Sequence, residues 1–167
     1  MTGFKLRTAV PEDEAAVTQL LEVSYGRLMP AAYEQAHLDA FLPLIVKAQP
    51  DLLASDTYYL AVTSEDDVIG AGGWTKERPG SGDIDAGIGH IRHVATHPGW
   101  TGKGVGRMII DHCAAVARSA GIQRFACCSS LNAVDFYAHL GFKKVRPVDI
   151  PMGGGLIMPS LLMERTL

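Results

Sequence analysis

The stretch His97-Pro98-Gly99-Trp100-Thr101-Gly102-Lys103-Gly104-Val105-Gly106-Arg107 constrains this chain more than any other. An extended apolar run, Gly89 to Thr96, leads into it, and a helical pattern, Val105 to Ala120, leaves it. Gly102, Gly104 and Gly106 alternate, so side chains are stripped from a turn at a helix N-terminus. Backbone N–H groups there can converge on an anion, and the helix dipole adds partial positive charge. A pyrophosphate is the ligand such a cradle suits best. Two better-known phosphate loops fail on residues. A Gly-x-x-x-x-Gly-Lys-Ser/Thr loop has His97 where its first glycine belongs and Gly104 where its hydroxyl belongs. A Gly-x-Gly-x-x-Gly fingerprint meets Arg107 or Ile109 at its third glycine.

The elements around this loop read in order. Phe4 to Val10 alternates as a first strand, and Pro11-Glu12-Asp13-Glu14 opens a helix with Val17, Leu20, Leu21 and Ser24 on one face. A second helix is expected within Tyr33 to Ala48, broken or bent near Pro43. Thr57–Thr63 and Val68–Thr75 form a hairpin around Glu65-Asp66-Asp67. Pro79 to Asp83 is a loop, and Gly87 to Thr96 is the fourth strand. Val105, Ile109, Cys113, Val116 and Ala120 make an apolar helical stripe that Gly121 closes. Ile122 to Ser129 is a fifth strand. Asn132 is placed to cap a helix over Ala133–Leu140, which Gly141 ends. Phe142–Val148 and Leu156–Leu167 are the last strands, separated by Pro151 to Gly155. The fourth and fifth strands, joined by one crossover helix, should be parallel. On the fourth strand His90, Arg92 and Val94 share one face and His93 lies on the other.

Composition narrows the function classes. The chain has 167 residues, 47% hydrophobic and 20% charged, which fits one globular domain over residues 1–167. With Lys+Arg 15 against Asp+Glu 18, the net charge of −3 leaves no basic excess for nucleic acid. Three cysteines, Cys113, Cys127 and Cys128, fit a reduced, cytoplasmic protein. Adjacent Cys127 and Cys128 point to opposite strand faces and read as packing residues. No apolar run is long enough to span a membrane. No His/Cys/Asp spacing resembles a metal site, and no Gly-x-Ser-x-Gly elbow exists. His97 reads as a turn residue, and His112 and His139 as surface or packing residues.

The segment Ile91 to Gly106 resembles the acetyl-CoA-binding core of the GCN5-related N-acetyltransferase (GNAT) family, Gln/Arg-x-x-Gly-x-Gly/Ala after a strand. Gly104 and Gly106 take its glycine positions, and Gly102 and Lys103 fill the two variable positions before them. Thr101 stands where the family has Gln or Arg, which implies weaker contact with coenzyme A (CoA). A second match lies downstream. Asn132-Ala133-Val134-Asp135-Phe136-Tyr137-Ala138-His139-Leu140-Gly141-Phe142 resembles the family's Asn-x-x-(x)-Phe-Tyr-x-x-x-Gly-Phe segment. The resemblance implies an α+β fold: a mixed, mostly antiparallel seven-stranded sheet flanked by helices, with a splayed parallel pair at the acetyl-CoA site. It implies that acetyl-CoA is held by Thr101, Gly102, Lys103, Gly104, Val105, Gly106 and Arg107, by backbone groups of Val94, Ala95 and Thr96, and by Asn132 and Phe136. No metal is implied.

The same resemblance implies acetyl transfer to a primary amine of a small molecule, by direct attack within a ternary complex. A protein N-terminus or lysine as acceptor, or a non-catalytic CoA-binding regulatory module, are the alternatives; relatives are commonly dimers. An alkyl ammonium must lose a proton before it can attack a thioester. His90 is the candidate base, with His93 a weaker one and water helped by Asp83 or Asp85 a third option. Tyr137 is the candidate acid for the departing thiolate. Tyr25, Arg27, Met29, Tyr33 and Phe41, from the region that shapes the acceptor pocket in the family, are acceptor-contact candidates, although aromatic residues there are more often core.

Overall fold

A computed structural model describes residues 3–167. Strand β1 (Phe4–Thr8) is followed by a 3-10 turn, Pro11–Asp13, and helix α1 (Glu14–Leu28). The Asp13 carboxylate holds this entry together. It accepts the Val10 N–H at 2.9 Å and two bonds from the Arg7 guanidinium at 2.8 and 2.9 Å. Helix α2 (Gln35–Ile45) continues through Pro43, so of the expected break or bend there is no break. Pro43 forgoes one N–H bond, to the Asp39 carbonyl, and the helix ends two residues later. A one-turn helix, α3 (Pro50–Leu53), was not anticipated.

Strands β2 (Tyr58–Thr63) and β3 (Val68–Thr75) form the expected hairpin. Its turn holds Asp66 at φ 64°, with Thr63 Oγ1 accepting the N–H groups of Glu65 and Asp67. Strand β4 (Ile88–Thr96) leads through a 3-10 turn, Pro98–Trp100, to helix α4 (Val105–Ser119). Strand β5 (Arg124–Ser130), helix α5 (Val134–His139) and the hairpin of β6 (Lys143–Gly153) and β7 (Leu156–Thr166) complete the chain. Strand β6 runs on through Pro147 and Pro151, past the expected loop boundary. It is the edge strand, where a missing N–H costs no ladder bond.

The seven strands form one sheet in the order β1-β2-β3-β4-β5-β7-β6. Only β4 and β5 are parallel, and they pair over just Ile88–Arg124, Gly89–Phe125 and His90–Ala126. Beyond His90 the two strands part. Helix α4 lays Ile109, Ile110, Cys113, Ala114 and Ala117 on one face of the sheet, against Tyr59, Ala61, Ile91, Phe125 and Met163. Helix α4 approaches closely because β3 offers Gly70; a Cβ there would stand 2.4 Å from Val105 Cγ1. Helix α1 covers the other face with Val17, Leu20 and Leu21 against Tyr58, Leu60, Val62, Ala71 and Ala95. Burial of such side chains stabilises by about 1.5–3 kcal/mol each before entropy is set against it.

Strand β4 carries a bulge. Ala71 faces Ala95 and Gly73 faces Arg92, so three steps on β4 match two on β3. His93 sits at φ 51°, in the left-handed region. The expected alternation of His90, Arg92 and Val94 on one face is therefore wrong. Arg92 and His93 both reach the α2–α3 side, to Gln49 and Ile45, while Val94 turns with Ile91 toward α4.

Candidate functional site

The separation of β4 from β5 opens a gap in the middle of the sheet. The His97 N–H bonds the Ile69 carbonyl at 2.8 Å, so alternation directs the main-chain groups of Ala95 into β3 as well. Those of Thr96 face the gap. Val94 also faces it, since its carbonyl accepts the Tyr25 O–H at 3.0 Å. Of the three expected backbone partners, Val94 and Thr96 turn main-chain groups toward the gap, while those of Ala95 are engaged with β3. Two tyrosines clamp the bulge: Tyr25 on Val94, and Tyr58, whose O–H donates to the His93 carbonyl at 2.7 Å. Tyr58 lies 35 residues from His93 in sequence, and no local pattern marks it.

The glycine loop closes one end of this gap. His97 Nδ1 accepts the Gly99 N–H at 3.0 Å, so His97 serves the turn as expected. Thr101 Oγ1 donates to the Pro98 carbonyl at 3.1 Å and is spent inside the loop. Gly102 and Gly104 sit at φ 73° and 84°, which glycine adopts without strain. Gly104 is the N-cap of α4 and has no side chain to offer, so the first-turn N–H groups at Val105, Gly106 and Arg107 are left open. Lys103 Nζ lies 5.1 Å from the centre of the Trp100 ring, and Arg107 Nη2 reaches the His139 carbonyl at 3.4 Å. Gly106 joins the pieces: a Cβ on it would meet the Phe136 ring at 2.6 Å and Thr96 Oγ1 at 3.7 Å. The structure thus brings together Thr96, the α4 N-terminus and Phe136, which lie far apart in sequence.

Asn132 does not cap α5. It sits within a 3-10 turn, Leu131–Ala133, and makes no capping bond. Its Oδ1 is buried without a hydrogen-bond partner. Such an orphan costs free energy unless a ligand donor meets it. Tyr137 is buried between Phe136 and Phe142, with ring centroids at 5.0 and 5.4 Å. Its hydroxyl interacts with the Cys127 thiol and feels the Tyr25 hydroxyl. Burial, then these neighbours, hold its pKa well above the ordinary phenol value. Burial likewise pushes the Cys127 thiol up to about 12 and the Cys113 thiol up to about 12, so neither is a ready nucleophile.

On the α2–α3 side of the gap lies a cluster around His90. His90 is 8% exposed, and its Nε2 is enclosed without a partner. Burial, then the charge of Arg78, lower its pKa, while Asp85 opposes them; the ring is neutral at pH 7. Arg78 is itself paired with Asp85 at 2.6 Å. Asp83 is exposed on the loop. His93 Nε2 lies 2.8 Å from the Ile45 carbonyl and must carry the proton of that bond. Met29, Tyr33 and Phe41 pack with Leu38 and Met158 in a core beneath α2, so these acceptor-contact candidates are packing residues; Arg27 is exposed. The Tyr33 hydroxyl also bonds the Pro159 carbonyl at 2.5 Å and the Leu131 N–H at 2.9 Å. His112 stacks edge-on against Tyr59, and His139 bonds the Asp135 carbonyl. Among the described residues, no helix is long and apolar enough to cross a membrane.

Residues 16–142 match the model of the acetyltransferase (GNAT) family. A GCN5-related N-acetyltransferase structure from Rhodopseudomonas palustris, titled aminotransferase class-II, superposes with a TM-score of 0.79 at 21% identity, covering 98% of this chain and 95% of that one. PaiA N-acetyltransferase from Thermoplasma acidophilum, solved with coenzyme A, gives 0.71 at 15% identity over 98% and 99% of the two chains. A GNAT-family acetyltransferase from Staphylococcus aureus gives 0.70 at 12% identity, again over 98% and 99%.

Proposed function

This chain belongs to the acetyltransferase (GNAT) family, and we propose that it transfers the acetyl group of acetyl-CoA to the primary amine of a small molecule. The observation that carries the reading is the parting of β4 and β5 beyond His90 and Ala126, next to an uncapped α4 N-terminus. The residues fit the co-substrate. Open N–H groups at Val105, Gly106 and Arg107, with the Gly102–Gly104 turn, suit a pyrophosphate. The gap-facing main chain of Val94 and Thr96 suits the amides of the pantetheine arm. The orphaned Asn132 Oδ1 offers one more acceptor to the same ligand. Thr101, turned back onto Pro98, contributes only its backbone.

The chemistry follows from the side chains on either side of the gap. His90 Nε2, neutral and without a partner, takes the proton of the acceptor ammonium. The freed nitrogen forms a C–N bond with the acetyl carbonyl carbon, and a main-chain N–H on the gap side of β4 donates to the carbonyl oxygen. The nitrogen gives up its second proton to solvent as the C–S bond breaks, the amide carbonyl re-forms, and the C–S electron pair leaves on sulfur. Tyr137 donates its O–H toward that sulfur. Because burial raises its pKa, transfer to a thiolate of ordinary basicity, about 8.5, is uphill. Its part is hydrogen-bond donation to the departing charge, until solvent protonates the thiolate. The high pKa of Cys127 favours direct attack over an acyl-enzyme. Release of free CoA thiol from acetyl-CoA, scanned over a panel of amines, tests the reading. Saturable, amine-dependent release supports it, and tight CoA binding without release from any amine would favour a non-catalytic module.

A further inference from the structure

We propose that Arg92 selects the acceptor and that the acceptor carries a carboxylate as well as its amine, as an amino acid does. The inference rests on the amine-acetylation reading above and deepens it. Arg92 is half-buried on the α2–α3 side of β4, two residues beyond His90 on the same face and directly before the bulge. Its guanidinium meets only neutral oxygens: Nη1 donates to Thr75 Oγ1 at 3.0 Å and Nη2 to Gln49 Oε1 at 3.2 Å.

Every arginine that forms an ion pair among the described residues, Arg7, Arg78, Arg124 and Arg165, sits at least partly exposed beside an Asp or Glu. Arg92 has no such partner within 4.0 Å, and Glu77 acts on it only from farther away. Asp85 is already matched to Arg78, and His90, on the same strand face, is neutral. A half-buried guanidinium with N–H donors to spare is costly unless an anion completes it. A carboxylate fits that fork with two parallel bonds, which a lysine could not match.

Residues two apart on a strand are separated by roughly 6.6 Å. One small molecule can therefore present its amine to His90 and its carboxylate to Arg92. The geometry orients the amine as well as selecting it, since a carboxylate anchored at Arg92 leaves little freedom at the nitrogen.

The experiment is CoA release with matched acceptors: L-amino acids, their carboxamides, and the corresponding decarboxylated amines. The expected result is a kcat/KM about ten- to a hundredfold higher for the carboxylates. In Arg92→Gln that preference should vanish through a raised KM for the carboxylates, a loss at least tenfold larger than any change on the amides. Arg92→Lys should restore part of it. Gln49→Ala, which removes one neutral support of the guanidinium, should raise KM for the carboxylates alone and serves if Arg92→Gln fails to fold. Equal use of acids and amides by the unaltered protein overturns the proposal, as does an equal loss on both in Arg92→Gln. Absence of release with every amine overturns the amine-transfer reading itself.

Discussion

His93 donates its Nε2–H to the carbonyl of Ile45, the last residue of α2, across 2.8 Å. The contact exists because His93 sits at positive φ in the β4 bulge, which turns its side chain onto the face of Arg92. It ties α2 to the strand that parts from β5. It also fixes the His93 tautomer: Nε2 carries the proton, and only Nδ1 is left to accept one.

Burial lowers the pKa of both His90 and His93, so the folded protein binds their protons less readily than the unfolded chain. Their neutral forms leave stability undiminished above the unfolded value of about 6.5. Stability should fall as pH drops below that value toward the lowered folded values. Thermal unfolding between pH 7.5 and about 5 is expected to show this decline. His93→Asn, which tolerates positive φ, should flatten part of it. An unfolding temperature independent of pH across that range would show that neither ring is held neutral by the fold.

Gly106→Ala would ordinarily strengthen a helix by about 1 kcal/mol. Here the added Cβ meets the Phe136 ring at 2.6 Å. The substitution should instead destabilise by about 1–3 kcal/mol and weaken CoA binding, because α4 or α5 must move. Phe136→Ala should cost less in the Gly106→Ala background than in the unaltered chain, because it relieves that clash. Calorimetric melting of the three variants measures it.

Tyr137→Phe removes one hydroxyl and keeps the ring packed against Phe136 and Phe142. Turnover should fall on the order of a hundredfold, while the Kd for acetyl-CoA stays near its original value. Steady-state kinetics beside calorimetric binding separates the two effects. A matched loss in both would make Tyr137 a packing residue.

His90→Ala should flatten the acid limb of the kcat/KM profile. That limb should lie below the ordinary imidazole value, because burial and Arg78 hold the His90 pKa down. A profile unchanged by the substitution would move the base role to water or another group.

Much of this fold is legible in the chain because its signals are local. Glycines punctuate α4 and α5 at Gly104, Gly121 and Gly141, and the stripe Val105, Ile109, Cys113 becomes the buried face of α4. The glycine loop and the Asn132–Phe142 segment were enough to point to the family. The bulge was hidden, because nothing in Arg92-His93-Val94 announces an extra residue; it is set by pairing with Ala71 and Gly73. That one residue reversed the faces of His93 and Val94. The clamps of Tyr25 and Tyr58 were equally hidden, being contacts over 69 and 35 residues. Asn132 looked like a cap because caps favour its side chain; the 3-10 turn before α5 displaced it and left its oxygen orphaned.

The most direct test of the site is an amide NMR titration with CoA. The largest saturable shifts are expected at Gly102, Gly104, Val105, Gly106 and Arg107, and at Val94 and Thr96 on β4, with Ala95 moving less. Shifts concentrated elsewhere, or none at the α4 N-terminus at saturating CoA, would contradict the placement of the ligand between β4 and β5.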